Sequence, residues 1–213
     1  YNIFMDICSI ILSAGKGSRM SSNIPKPLHM ISGKTMLQWV IDANKSAGIK
    51  KSILVISEEI NRLSNFACNL NIITQKNPLG TGDAVKKVIP LLKNFEGIVI
   101  ICFADTPFIT SKTLKKISKA FINDTKLVIT GFKKNEKNKY GKIIFSEQNK
   151  PIEILEEKGV ENKNNISKVC NGGIMGIHSS VLKFLSKIKK NNISNEYYLT
   201  DIVKILSKEN KKI

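Results

Sequence analysis

A strand-like run, ICSIILS at positions 7–13, is followed by Ala14-Gly15-Lys16-Gly17-Ser18-Arg19-Met20 and then by Pro25-Lys26. Two glycines, three cations and a hydroxyl therefore stand in a connection about twice as long as strand-to-helix joins usually are. Glycine lets backbone N–H groups approach an oxyanion with no Cβ in the way, and Lys16, Arg19 and Lys26 supply the opposing charge. The segment suits a polyanion, a nucleoside triphosphate foremost; a plain surface turn is the alternative, and the cations weigh against it. Two known phosphate motifs are excluded. The dinucleotide fingerprint needs glycine at position 20, which is Met20, and a Walker loop ending in Gly33-Lys34-Thr35 needs glycine at 28, which is Leu28.

Something must hold this loop. Residues 7–13, 52–57, 71–74, 98–104 and 126–132 are apolar throughout, as strands of a parallel sheet covered on both faces must be. Helical segments lie between them, so the fold class is α/β, a doubly wound, mostly parallel Rossmann-like sheet. A helix is predicted from Thr35, its N-cap, to about Ala47, ending at Gly48, with Met36, Leu37, Val40, Ile41 and Ala43 facing the core. A second is predicted from about Gly82 to Lys93. Lys112, Lys115, Lys116 and Lys119 read as the solvated face of a third. After residue 132 two short strands, 141–146 and 152–156, joined by Glu147-Gln148-Asn149-Lys150, and a longer one at 169–178 extend the sheet with mixed or antiparallel pieces. The whole chain reads as a single domain.

In an open parallel sheet, ligands bind beyond the carboxyl ends of the strands, so the loops after residues 13, 74 and 104 should converge. The second carries Gln75 and Leu79-Gly80-Thr81-Gly82-Asp83-Ala84, with Gln75 and the Gly80 backbone suited to a base edge. The third carries Asp105. An Asp there is either an N-cap before Thr106-Pro107 or, opposite a phosphate loop, a Mg²⁺ ligand, since Mg²⁺ is held by one or two carboxylates together with phosphate oxygens.

The formal charge of +17 raises the possibility of a nucleic-acid partner, but the cations are spread along the chain and only Arg19 and Arg62 are arginines. No nucleic-acid partner is expected; the positive field should instead draw in small polyanions. Cys8, Cys68, Cys102 and Cys170 form no C-x-x-C pair, which argues against a zinc site or a disulfide framework and for a reducing compartment. Asp6 interrupts the first apolar stretch, and no run reaches the 18 or more apolar residues of a membrane span. A cytoplasmic protein with no membrane partner is expected.

The segments LSAGKGSRMSSNIPKPLHMISGKTM, LGTGDAV, ADTPFIT, YGKI, ILEEK, CNGGI and NEYYLTD, in that order, resemble the uridyltransferase domain of the bacterial bifunctional N-acetylglucosamine-1-phosphate uridyltransferase/glucosamine-1-phosphate acetyltransferase. The first segment is common to many nucleotidyltransferases; LGTG followed by Ala, and EYYLTD, are narrower. The resemblance implies transfer of the uridylyl group of UTP to N-acetylglucosamine 1-phosphate with Mg²⁺. Leu12, Ser13, Ala14, Gly15 and Lys26 would hold the nucleotide and its phosphates, with Lys16 and Arg19 on the departing pyrophosphate. Gln75 and Gly80 would recognise uracil and Thr81 the sugar side. Phe103 and Ala104 would lie beside the nucleotide, and Asp105 would bind Mg²⁺. Arg19, Lys26 and Asp105 are the residues expected to carry catalysis. Gly141, Glu156, Asn171, Glu196, Tyr198 and Thr200 would surround the N-acetylglucosamine moiety. The implied nucleotide-binding half is about 5–132 and the sugar-binding half about 133–213.

Two departures stand out. Ala104 occupies a position where the family usually has glycine, adding a methyl beside the nucleotide, and Gly172 replaces a threonine, removing a hydroxyl near the sugar. A second Mg²⁺ ligand, an Asn in a later segment, has no counterpart in the sequence, and neither does the hexapeptide-repeat β-helix of acetyl transfer and trimerisation. A monomer without acetyltransferase activity is therefore expected. Transfer to another sugar or alcohol phosphate, with CTP for example, and a non-catalytic nucleotide-sugar binding module are the competing expectations.

Overall fold

The computed structural model describes residues 5–15, 20, 22–63, 70–134, 138–156, 167–191 and 194–213. In chain order the elements are β1 (Asp6–Ser13), a 3-10 turn (Lys26–Leu28), β2 (Met30–Ile31), β3 (Lys34–Thr35), α1 (Met36–Ser46), β4 (Lys51–Ile56), α2 (Glu58–Leu63), β5 (Asn71–Thr74) and α3 (Thr81–Val88). They continue with a 3-10 turn (Ile89–Leu92), β6 (Gly97–Phe103), α4 (Ser111–Lys119), β7 (Leu127–Lys133), β8 (Lys142–Phe145), β9 (Pro151–Leu155), β10 (Val169–His178), a 3-10 helix (Ser179–Lys187) and α5 (Asp201–Lys208).

One sheet runs in the order β5-β4-β1-β6-β10-β8-β9, with β7 also paired to β10. The β5, β4, β1 and β6 strands are parallel neighbours, and β10 is antiparallel to β6, β7 and β8. The apolar run expected to be a fifth parallel strand is β7. It points the same way as β6, but β10 lies between them, because an apolar run reports burial and not the direction of its neighbour.

Alternation along β1 divides the core. Cys8, Ile10 and Leu12 pack under α3, the 3-10 helix Ser179–Lys187 and α5, while Ile11 packs under α1 and α4. Both faces are covered, as the uninterrupted apolar runs require, and each buried Ile or Leu contributes about 1.5–3 kcal/mol.

Helix limits follow local chemistry. The Thr35 hydroxyl accepts from Gln38 N at 3.1 Å and starts α1, and Thr110 does the same for α4 through Thr113 N. The α3 helix stops at Val88, short of the predicted Lys93, because Pro90 lacks an N–H and the chain tightens to a 3-10 turn. The β2–β3 ribbon, which the sequence reading missed, turns on Ser32 and Gly33, both with positive φ. Among the described residues no helix is long and apolar enough to cross a membrane.

Candidate functional site

At the carboxyl ends of β1 and β6, Ala104 N donates to Leu12 O at 2.9 Å and ties the two strands together where they stop. Beyond this tie, Lys26 Nζ meets Asp105 Oδ2 at 2.6 Å. Thr106 Oγ1 closes the intervening turn on Phe103 O, and Thr110 caps α4, so Asp105 is free of the capping duty that was the alternative reading. Leu12, Ser13 and Ala14 are buried, while Gly15 is exposed and a Cβ built on it meets nothing within 4 Å. Among the described residues, none occupies the space over Gly15. A depression beside Ala14, Gly15 and Pro25 is walled on its far side by Ser57, Glu58, Lys76 and Pro78. Lys16 and Arg19 lie outside the described residues. Ala104 is 1% exposed and its methyl packs in the α1/α4 core.

The β5 end supplies the second wall. Gln75 is 2% exposed; its N–H donates to Ile56 O at 2.7 Å and its Nε2 to Asp83 Oδ2 at 2.5 Å. Gly80, at the N-cap of α3, has φ +105°, and a Cβ there would lie 2.6 Å from Tyr197 O. That contact belongs to a clamp. Tyr197 N donates to Leu79 O and Gly82 N to Tyr197 O, both at 2.8 Å, and Leu199 N donates to Thr81 Oγ1 at 3.0 Å. Segments 79–82 and 197–199 form one structural unit through Tyr197, a residue the sequence reading did not single out.

On the third side, Asn171 N donates to Gly141 O at 2.8 Å, Asn171 Oδ1 accepts from Gly173 N at 3.0 Å, and Thr200 Oγ1 donates to Glu156 Oε1 at 2.8 Å. A Cβ on Gly141 would be 3.4 Å from Glu156 Oε2. Gly141, Glu156, Asn171 and Thr200 are thus neighbours. Glu196 is exposed and Tyr198 half-buried, and among the described residues no hydrogen bond joins their side chains to this group. Burial raises the Glu156 carboxyl above its ordinary value; the Thr200 hydroxyl opposes the shift and the Asp201 charge adds to it. A Cβ on Gly172 would sit 2.6 Å from Thr130 Oγ1, which accepts from Ile174 N and donates to Ile174 O. Thr130 of β7 thus fills the space a side chain at position 172 would take. Lys142, 8% exposed, donates to Asn138 Oδ1 at 2.9 Å and Cys170 Sγ at 3.0 Å, a buried cation between β8 and β10 that a sequence reading takes for surface.

Among the described residues no group of three or more His, Cys, Asp or Glu is arranged to hold a metal ion. A divalent ion at Asp105 would need ligands from something bound beside it, which suits a phosphate-bridged Mg²⁺ and not a resident, protein-enclosed one.

An open, mostly parallel sheet with its polar residues gathered at the strand ends defines the class. Solved structures of UDP-glucose pyrophosphorylase, complexed with UDP-glucose and apo, share the fold at TM-score 0.79, with 19% and 18% sequence identity. They align over 97% and 98% of this chain and 89% of their own. The chain belongs to the nucleotidyl transferase family, whose pattern matches residues 8–213. Curated relatives include the bifunctional protein GlmU of Parvibaculum lavamentivorans, 34% identical over 92% of this chain and 44% of the relative. That of Bartonella bacilliformis is 36% identical over 96% and 46%, and that of Lactococcus lactis 32% over 98% and 46%. The chain spans a little under half the length of these relatives.

Proposed function

We propose that this chain transfers the uridylyl group of UTP to N-acetylglucosamine 1-phosphate, releasing pyrophosphate and forming UDP-N-acetylglucosamine. The observation that carries the reading is the Lys26–Asp105 pair at 2.6 Å beyond the joined ends of β1 and β6, beside the open space over Gly15. A cation and a carboxylate in contact, on the phosphate side of such a sheet, are what a nucleotide triphosphate with its divalent ion requires. The names of the GlmU relatives and membership of the nucleotidyl transferase family support the same chemistry.

A phosphate oxygen of the sugar phosphate attacks the α-phosphorus of UTP in line, the bond to the β-phosphate breaks, and pyrophosphate leaves without a covalent enzyme intermediate. In this reading the Gly15 backbone approaches the phosphates closely, which a side chain there would obstruct, and Lys26 turns from Asp105 toward the α-phosphate, where negative charge grows. Gln75 and the Gly80 backbone address the base. Glu156, Asn171 and the Gly141 backbone offer hydrogen bonds to sugar hydroxyls and the acetamido group, with Thr200 fixing Glu156 and with Glu196 and Tyr198 at the rim. Asp105 would hold Mg²⁺, which neutralises phosphate charge when bound. Position and charge account for the rate, since contacts of this kind are worth about 10²- to 10³-fold each.

Pyrophosphate release with Mg²⁺, measured for UTP, CTP, ATP and GTP against N-acetylglucosamine 1-phosphate, glucose 1-phosphate and phosphocholine, tests the reading. UTP with N-acetylglucosamine 1-phosphate should dominate. Preference for another pair, or binding of UDP-N-acetylglucosamine with no release from any pair, refutes it.

A further inference from the structure

Asp83 has no role in the reaction just described, yet among the described residues its carboxylate accepts the hydrogen bond from the buried Gln75 amide. Gln75 is a primary amide with a donor end and an acceptor end, and in isolation either end could face a ligand. A carboxylate offers acceptors only. With Asp83 Oδ2 at 2.5 Å from Gln75 Nε2, the amide is held with its NH₂ toward α3 and its carbonyl Oε1 on the other side. The hydrogen bond of the amide to Asp83 runs through Nε2 and leaves Oε1 unused by that partner. Asp83 is itself fixed: it lies in the first turn of α3, its side chain is 16% exposed, and Lys87 Nζ stands 3.9 Å from the same Oδ2. Gln75 cannot reorient by sliding either, since its N–H is bonded to Ile56 O.

We infer that Asp83 is a positioning residue that sets base selectivity by locking the Gln75 amide so that its carbonyl, an acceptor, is what a pyrimidine meets. The inference builds on the base-reading role proposed above for Gln75. Uracil presents an N3–H donor, which an acceptor satisfies; cytosine presents an unprotonated N3, which repels it. An amide free to turn over would accept either base, so selectivity is set one residue behind the contact. A hydrogen bond built for one pattern rejects the other because a buried polar group is left unpaired.

Wild type, Asp83→Asn and Asp83→Ser are compared for kcat/KM with UTP and with CTP at saturating sugar phosphate and Mg²⁺. Asn offers both a donor and an acceptor, so either amide orientation of Gln75 is then satisfied. The UTP:CTP ratio is expected to fall about tenfold or more in both variants, through a higher KM for UTP and a lower one for CTP. Loss of the negative charge acts on both nucleotides alike and cancels in the ratio. In the Gln75→Ala background, Asp83→Asn should leave the ratio unmoved, because the amide it positions is gone. Thermal unfolding of each variant reads the separate contribution of Asp83 to the start of α3, and Asp83→Asn, isosteric with wild type, carries the test if Asp83→Ser does not fold. A ratio within twofold of wild type in Asp83→Asn, with a lowered unfolding midpoint, overturns the inference and leaves Asp83 a helix-start residue. Absence of any UTP preference in the wild type instead refutes the base-reading proposal, a distinct failure seen before any variant is made.

Discussion

Removing Lys26 separates the two meanings that its contact with Asp105 could have. If the pair is structural, Lys26→Ala should weaken the fold; if it is held for a ligand, the fold should hardly notice and turnover should collapse. The side chains are 37% and 36% exposed, so water screens the pair and its net worth to stability is about 0–1 kcal/mol despite the 2.6 Å separation. Turnover should fall about 10²- to 10³-fold, equivalent to about 2.7–4 kcal/mol of transition-state stabilisation, because the same ammonium would then act on charge that grows during the reaction. Urea unfolding and pyrophosphate release under saturating substrates read the two in one preparation. Asp105→Asn should match Lys26→Ala in turnover. Loss of more than 2 kcal/mol of stability, or a change in turnover below threefold, refutes the assignment of the pair to the reacting phosphates.

Three further outcomes are expected. Gly80→Ala places a methyl at a backbone φ of +105° and 2.6 Å from Tyr197 O, so strain and overpacking together should cost about 2–5 kcal/mol in urea unfolding and loosen segment 197–199; a cost under 1 kcal/mol would mean that the clamp is not rigid. Burial holds the Glu156 carboxyl above its ordinary 4.5, so between that value and its raised one the native state carries more proton than the unfolded state. Stability contributed by protonated Glu156 is complete at low pH and declines as pH rises through the raised value. Glu156→Gln should therefore equal wild type near pH 4 and exceed it at pH 7.5 in urea unfolding, with the burial-raised Asp201 leaving a residual slope; an unchanged pH dependence counts against it. Burial pushes the Cys8 thiol up to about 11, against a smaller opposing effect of Lys51, and the Cys102 thiol to about 12, so neither should react with a disulfide reagent at pH 8 until the protein is unfolded, as peptide mapping would show.

The parallel half of the sheet was legible because burial on both faces leaves no choice of residue: Ile10, Ile11, Ile53, Leu54, Ile100 and Ile101 are all sealed, and a strand with no solvent side must be apolar without interruption. Helix starts were legible where one side chain closes one backbone bond, as Thr35 does. What did not show is whatever depends on a partner far along the chain. The Thr81–Leu199 bond spans 118 positions, Gly172 is compelled by Thr130 across the β7–β10 pairing, and the contact of Lys142 with Cys170 spans 28 positions, from β8 to β10. No local period or composition encodes these contacts.

Gly80 shows how that limit bears on function. Read alone, a glycine after a strand suggests close approach of backbone to a base, and the family resemblance says the same. Packing supplies a sufficient second cause: any Cβ there meets the backbone of Tyr197 whether or not a nucleotide binds. Its identity as glycine thus cannot discriminate a base-reading loop from a merely tight one. Gly15 behaves in the opposite way, since among the described residues nothing forbids a side chain there, and its φ imposes none of the left-handed strain that would require glycine. An unforced glycine on the open side of a cation–carboxylate pair weighs more toward ligand binding than a forced one. The functional argument therefore bears on Gly15, Lys26 and Asp105 first, and on Gln75, held by Asp83, second.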